Sequence, residues 1–545
     1  MDAPTDPTPA AAAIPPDPYG WGKKDDGVVY LTTPIYYVNG APHIGNAYTT
    51  IAADAIARYH RQQGRDVFFL TGTDEHGINN ERAARARGLT PQQHVDELAA
   101  AFNALWDTLG ISYDRFIRTT EEQHKRGALE FWRRLQESGD LYRATYSGAY
   151  CASCEAYYQK DELEQGDICP IHKQPVEQLQ EENYFFRLSR YQAELEQLVG
   201  TTDFVQPVSR RNEVLSVLRQ GLRDFSVTRQ NVRWGIPVPG HPDEVFYVWV
   251  DALTNYLTGV GFPDDRQTLE RYWPADVHLV GKDIIRFHCL YWPALLLAAG
   301  LPLPRHVFAH GWITKDGQKL SKSRGNSIDP TELAARFGVD AVRYYFLRAI
   351  PFGQDGDFTE AAFIARYNAD LANDFGNLVQ RATALVSRYA DGRVPAPGLP
   401  TAPDASAGVS APGDQRAPGE PEEKLLRAAR DLPARVAEAF ERISPDGALE
   451  AINGFVSVAN RYAEETAPWH LAKDPDAGQQ LHTALYHLAE AARLACWYLW
   501  PSIPTAAAEG HRRLSAQAPL AGLGIWGALQ PGVRVETGPP LFPRV

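Results

Sequence analysis

Between Val28 and Gly77 the hydrophobic pattern changes period twice. VVYLTTPIYYV is apolar, β-branched and aromatic. AYTTIAADAIARYHRQQG repeats its apolar positions at helical spacing and closes on Gly64. DVFFLTG is apolar again. Two buried-type strands separated by such a helix predict a right-handed parallel βαβ unit. The pattern returns later as VHLVG, KDIIRFHCLYWPALLLAAG and HVFAHGWIT: a strand, a largely apolar helix and a strand. Residues 116–235 interrupt it with helical segments around a short polar stretch that carries cysteines. The expectation is an α/β fold, a Rossmann-type parallel sheet split by a connective insert. Ligands of such sheets sit at the carboxyl ends of the strands.

From about residue 330 the period is helical, in PTELAARFGVDAVRYYFLRA and AFIARYNADLANDFGNLVQRATALVSRYA, and amphipathic helices resume from Glu422 to about Ala508. Residues 391–421, rich in Pro, Ala and Gly, cannot bury enough apolar surface to order themselves and read as a linker. Residues 1–27 read as a disordered tail, without the basic start and apolar core of a secretory signal. The expected divisions are 1–27, 28–115, 116–235, 236–318, 319–365 and a helical region 366–545 that contains the linker. No internal repeat occurs, and no run of 18 apolar residues predicts a membrane span.

Bulk composition adds little. With 545 residues, 44% hydrophobic and 22% charged, the chain is soluble-type and too long for one core. Five cysteines without a signal point to a reducing cytoplasm instead of a disulfide framework. A net charge of −13 argues against a generally basic nucleic-acid binder. Local charge matters more, because salt screens beyond about 10 Å. Arg305, Lys315, Lys319, Lys322 and Arg324 crowd a segment whose one acid is Asp316. That segment is either an anion site or a solvated basic loop.

Chemistry enters at two places. Cys151-x2-Cys154, followed after fourteen residues by Cys169-x2-His172, gives two knuckles and four tetrahedral ligands. Three thiolates and an imidazole make a closed structural zinc shell. A redox C-x-x-C would lack the second pair. Cys289 and Cys496, in apolar helical contexts, are expected to be packed. The second place is Pro42-His43-Ile44-Gly45-Asn46, where a strand ends in a glycine-flanked turn and a helix begins. Free N–H groups at a helix start favour an anion. A histidine in such a turn is otherwise structural, and Lys319-Leu320-Ser321-Lys322-Ser323 alone could be a solvated loop. No G-x-x-x-x-G-K-[ST] loop is present.

HIGN and KLSKS resemble the HIGH and KMSKS signatures of the class I aminoacyl-tRNA synthetases, with Asn46 for the second His and Leu320 for Met. PIYYVNGAPHIGN, FLTGTDEHG, YVWVDALTNY, GKDIIRFH, NLVQR, TAPW and the single zinc knuckle narrow the resemblance to the bacterial one-zinc methionyl-tRNA synthetases, over roughly 28–510. The resemblance implies ATP-dependent formation of methionyl-adenylate and transfer to the 3′ end of tRNA(Met), initiator tRNA included. It implies that His43, Asn46, Lys319 and Lys322 act on the phosphates, and that Gly281 and Asp283 hold the adenosine. Asp74 would pair with the substrate ammonium. Ile35, Tyr37, Trp249, Ala252, Leu253, Tyr256, Ile284 and His288 would line a thioether pocket, Leu253 standing where many relatives carry Pro. Asn377, Arg381 and Trp469 would read the anticodon. Residues 319–365 would hold the lysine loop and a stem-contact region. Zn²⁺ would be structural, Mg²⁺ would come with ATP, and the enzyme would be a cytoplasmic monomer with no membrane partner. The alternatives are another class I synthetase and a tRNA-binding relative without catalysis.

Overall fold

A computed structural model of the chain describes residues 27–151, 156–158, 163–170, 173–315, 317–319, 328–398, 419–515 and 524–545. Its residues group into two compact units, one of 1–42, 67–107 and 113–310, the other of 43–66, 108–112 and 311–545.

In the first unit, the Val28–Tyr37 strand is buried along its first six positions, as expected for a strand covered on both faces. The sheet runs Arg115–Arg118, Asp66–Asp74, Val28–Tyr37, Val277–Gly281, His306–His310, Val205–Gln206. Val28–Tyr37 pairs in parallel with Val277–Gly281, and that strand with His306–His310. Strand order reverses at the first of these pairs, and a doubly wound sheet binds its ligands at such a switch point. The last strand is a finding. Val205–Gln206 comes from the segment expected as an insert, and joins the sheet through Val307 and Phe308. Two residues carry too little periodicity to be read as a strand.

The remainder of that segment builds an antiparallel sheet ordered Ala156–Tyr158, Leu141–Cys151, Glu177–Phe186, Phe225–Ser226. The Glu122–Glu137 and Val248–Thr258 helices press together where Gly127 meets Thr258. A Cβ on Gly127 would stand 2.2 Å from Thr258 Cγ2, so only glycine fits. The expected single helix from Lys282 to Gly300 is three pieces: a 3-10 turn at Lys282–Ile284, a π-helical turn at Phe287–Tyr291, and α-helix from Trp292 to Ala298.

In the second unit, the Ile44–Gln62 helix starts at a cap made by His43 and Asn46 and stops before Gly64, whose φ is 78°. The expected strand HVFAHGWIT is two strands. His306–His310 belongs to the first unit; Ile313–Lys315 lies between Gln318–Lys319 and Gly356–Phe358 in a small sheet of the second. Gly311 marks the break. A Cβ there would meet the Gln354 backbone at 2.3 Å, and Trp312 N donates to Asp355 Oδ1 at 2.8 Å.

Helices follow, including Val339–Arg348, Asn377–Tyr389, Glu420–Glu441, Pro445–Thr466, Gly478–Leu499 and Pro504–Arg513. Of the expected linker, 399–418 lies outside the described residues, as do 1–26 of the expected tail. Residues 524–545, which the hydrophobic pattern left unassigned, are held by side chains. Glu490, paired with Arg493 at 2.7 Å, accepts the N–H groups of Gly527, Ala528 and Leu529 at 2.6–3.1 Å. Arg493 donates to the Ile525 carbonyl at 2.7 Å and Tyr367 to that of Pro543 at 2.8 Å.

Candidate active site

The switch point of the sheet opens next to Gly281. This residue ends its strand opposite His310, and a Cβ on it would fall 2.5 Å from Asp283 Oδ1. Gly281 and Asp283 are thus neighbours at the carboxyl edge. Asp74 ends the neighbouring Asp66–Asp74 strand and is buried. Its carbonyl accepts Val38 N at 3.3 Å and Asn80 Nδ2 at 3.2 Å.

An aromatic cluster stands in the same unit. Ala252, Leu253, Tyr256 and His288 are buried, and Ile35, Tyr37, Trp249 and Ile284 are half-buried against the same core. Their polar atoms are ordered by a readable chain of hydrogen bonds. The Ile284 carbonyl can only accept, so His288 Nδ1, 3.0 Å away, carries the proton. His288 Nε2 is then an acceptor, and the Tyr256 hydroxyl donates to it at 2.7 Å. A second imidazole, His278, stacks on Tyr256 with centroids 4.1 Å apart. Trp292 Nε1 donates to His278 Nε2 at 3.3 Å, so His278 Nδ1 donates to Thr32 Oγ1 at 2.7 Å. Burial pulls the His288 pKa down to about 4 and that of His278 well below the ordinary value. Both rings are neutral, and neither presents a cation to a thioether.

A carboxylate pinned by two histidines lies next to these residues. Asp251 Oδ2 is 2.7 Å from His76 Nδ1, and Asp251 Oδ1 is 2.7 Å from His124 Nε2. Burial alone would raise the Asp251 pKa; His76 and His124 outweigh it and hold it down at about 2. The cluster ties the loop after Asp74 to the helix bearing Trp249 and Tyr256. The adjoining Glu75 is buried and accepts Arg118 at 2.6 and 3.0 Å.

Phe287, stacked on Trp249 at 3.8 Å, together with His278, Trp292 and the Asp251 cluster, was not expected from the sequence. The π-helical turn shifts Phe287 and His288 off a 3.6-residue period. The available signal was a histidine and a tryptophan inside an otherwise apolar helix.

In the second unit, His43 and Asn46 cap their helix reciprocally. Gly45 N donates to His43 Nδ1 at 3.0 Å and His43 N donates to Asn46 Oδ1 at 3.1 Å. The first bond makes Nδ1 an acceptor, so the ring proton sits on Nε2. The second makes Oδ1 the inward end of the amide and Nδ2 the donor end. The donor ends of both side chains therefore carry no formal charge. Lys319 closes the Gln318–Lys319 strand opposite Thr314; Lys322 lies outside the described residues. Asn377 Nδ2 and Arg381 Nη1 both reach Asn460, each at 3.4 Å, so the expected helix-face pair exists. Trp469 is half-exposed on the short Pro468–Leu471 helix.

Cys151 and Cys169 are buried in one small cluster with Tyr158 and form no disulfide. Cys154 and His172 lie outside the described residues, and among the described residues no group of three His, Cys, Asp or Glu is placed to hold a metal. Cys289 and Cys496 are buried, as expected.

The family profile "tRNA synthetases class I (M)" matches residues 29–178 and 161–383. The chain belongs to this family. Among the relatives of this class I synthetase, a methionine–tRNA ligase of a Nostoc species is 45% identical, covering 96% of this chain and 98% of the relative. One from Streptomyces coelicolor is 44% identical over 96% and 98%. Among solved structures, Mycobacterium tuberculosis methionyl-tRNA synthetase in complex with methionyl-adenylate superposes with a TM-score of 0.89 at 42% identity, covering 95% of this synthetase and all of that chain. The free form of that enzyme gives 0.82 at 41% identity, over 95% and 98%.

Proposed function

We propose that this synthetase is a methionine–tRNA ligase. The observation that carries the reading is the likeness over 95% of the chain to a structure that holds methionyl-adenylate; a cluster of aromatic side chains with two neutral imidazoles supports it. A methionine carboxylate oxygen attacks the α-phosphorus of ATP, the bond to the β-phosphate oxygen breaks, and pyrophosphate leaves. The terminal ribose hydroxyl of tRNA(Met) then attacks the carbonyl, and AMP leaves with the bonding pair.

The chain's part is positioning and charge stabilisation. His43 Nε2–H and Asn46 Nδ2–H donate to phosphate oxygens where negative charge develops. Lys319 and Lys322 stabilise the departing pyrophosphate. Mg²⁺ arrives with ATP as part of that substrate. Asp283 accepts from the ribose hydroxyls, and Gly281 leaves room for the nucleoside. Asp74 pairs with the methionine ammonium. Trp249, Tyr256 and His288, with Ile35, Tyr37, Ala252, Leu253 and Ile284, surround the side chain. Sulfur–aromatic contacts contribute about 0.3–1.5 kcal/mol each.

Asn377, Arg381 and Trp469 contact the anticodon, Trp469 by stacking. One zinc ion, held by Cys151, Cys154, Cys169 and His172, is structural. Two buried thiols in one cluster without a disulfide fit such a site. The enzyme works as a cytoplasmic monomer; no helix among the described residues is long and apolar enough to cross a membrane.

The test is ATP–pyrophosphate exchange run with each amino acid in turn, followed by charging of tRNA. Exchange that depends on methionine is expected. Exchange driven better by another amino acid overturns the assignment.

A further inference from the structure

Arg343 is fully buried, yet it is not packed among apolar side chains alone. Its Nε donates to the Ser502 carbonyl at 2.9 Å and its Nη1 to the Leu109 carbonyl at 3.2 Å. Its Nη2 donates to Asp54 Oδ2 at 2.6 Å and to the Pro501 carbonyl at 3.1 Å. Three segments far apart in sequence therefore meet on one guanidinium. Asp54 is equally engaged. It also accepts Arg58 Nε at 2.7 Å, Ser112 N at 2.7 Å and Ser112 Oγ at 2.6 Å.

Asp54 lies on the Ile44–Gln62 helix, eight residues beyond Asn46. At a rise of about 1.5 Å per residue that is about 12 Å along one rigid rod. The same helix is fastened at two further points. Arg61 Nη1 donates to the Ser112 carbonyl at 2.9 Å, and Gln62 Nε2 to the Trp497 carbonyl at 2.8 Å. Trp497, Pro501 and Ser502 form the corner between the Gly478–Leu499 and Pro504–Arg513 helices. Asp340, one turn before Arg343, accepts Ala506 N at that corner.

Burying an ion pair is a poor route to stability, and apolar residues of like volume often serve as well. A planar fork held by three carbonyls and a carboxylate does something apolar packing does not: it sets direction and register. The Asp54 carboxyl is desolvated, which raises its pKa, but Arg343 and Arg58 outweigh that and keep it ionised.

We propose that Arg343, through Asp54, is a positioning residue for adenylate formation. It sets the pitch of the helix whose first turn carries His43 and Asn46, using the helical corner at 501–502 as the fixed frame. A shift of that helix displaces the donors of the turn, and none of the residues assigned to the methionine side chain lies on it. The proposal rests on the phosphate-binding role of His43 and Asn46.

The test compares the intact enzyme with Arg343→Lys, which keeps the charge and loses the fork, and with Asp54→Asn, which keeps the shape and loses the charge. Active sites are counted by the end-point amount of methionyl-adenylate retained. Exchange turnover is then expressed per active site, and methionine affinity is read from tryptophan fluorescence. Turnover per site is expected to fall at least tenfold in both variants, with methionine affinity within twofold of the parent. Parental turnover per site, even with a lowered melting temperature, overturns the proposal, because Arg343 is then only structural. A parallel loss of methionine affinity also overturns it. Should Arg343→Lys fail to fold, Asp54→Asn decides by the same readouts. His43→Ala, run alongside, separates the two layers: if it leaves exchange intact, the reading of the turn itself is what has failed.

Discussion

The Tyr256 hydroxyl gives its proton to His288 Nε2 across 2.7 Å, because the Ile284 carbonyl has already claimed the proton on Nδ1. Tyr256→Phe leaves that nitrogen buried without a donor. The cost of an unpaired buried polar group is about 1–3 kcal/mol. The kcat/KM for methionine in exchange is expected to fall about 5- to 150-fold, with KM for ATP unchanged. Steady-state exchange kinetics with each substrate varied separately check this.

Three buried histidines, His288, His487 and His511, have pKa values pulled down by burial to about 4. The unfolded chain takes up these protons near pH 6.5 and the folded chain only near 4. Their stabilising contribution is therefore complete above about pH 6.5 and is lost progressively as pH falls toward about 4. Neither ring nitrogen of His511 has a hydrogen-bond partner among the described residues. His511→Leu is expected to flatten the pH dependence of stability in that window by about 1.4 kcal/mol per pH unit. Urea midpoints measured from pH 7 to 4.5 are the readout.

Asn46 donates without titrating. In the proposed role, Asn46→Ala removes a hydrogen bond to a charged phosphate, worth about 1.5–3 kcal/mol. Exchange turnover is expected to drop about 10- to 150-fold. Asn46→His is expected to keep activity and to add an ionisation to the pH–rate profile between about pH 5 and 8 that the parent lacks. Two superimposable profiles would contradict this account of the turn.

Cys169 is buried beside Cys151. Elemental analysis is expected to find one zinc per chain, and Cys169→Ser to lose it. The loss should lower the melting temperature and reduce tRNA charging more than methionine-dependent exchange, because Cys151 and Cys169 stand in the segment expected as an insert. A variant that loses zinc and keeps both properties would exclude a structural role.

Legibility followed length and periodicity. Val28–Tyr37, Asp66–Asp74 and the helix between them are long, strongly patterned elements, and their type was plain from the chain. Val205–Gln206 was not, since two residues have no period and their place is set by Val307 and Phe308 across the ladder. Gly281 and Asp283 were reached through a motif, and they do adjoin at the sheet edge. The Asp251 cluster was not reached. His76, His124 and Asp251 stand in three segments, each with an ordinary local reading, and only the fold brings them together. Phe287 escaped because a π-helical turn breaks the spacing by which a helix face is read.

The Glu490 carboxylate holds Gly527, Ala528 and Leu529 by their main-chain amides, and Arg493 holds the Ile525 carbonyl. Every amino acid except proline supplies the same amide. Side-chain identity at 528 is thus nearly invisible to the clamp, whereas the count of residues and the glycine at 527, whose φ is 90°, are not. One residue added or removed between Ile525 and Leu529 would slide the peptide past its acceptors and leave the buried Glu490 with Arg493 as its remaining donor. At Ala528 the molecule should accept an altered letter, and along the whole stretch it should refuse an altered spelling length.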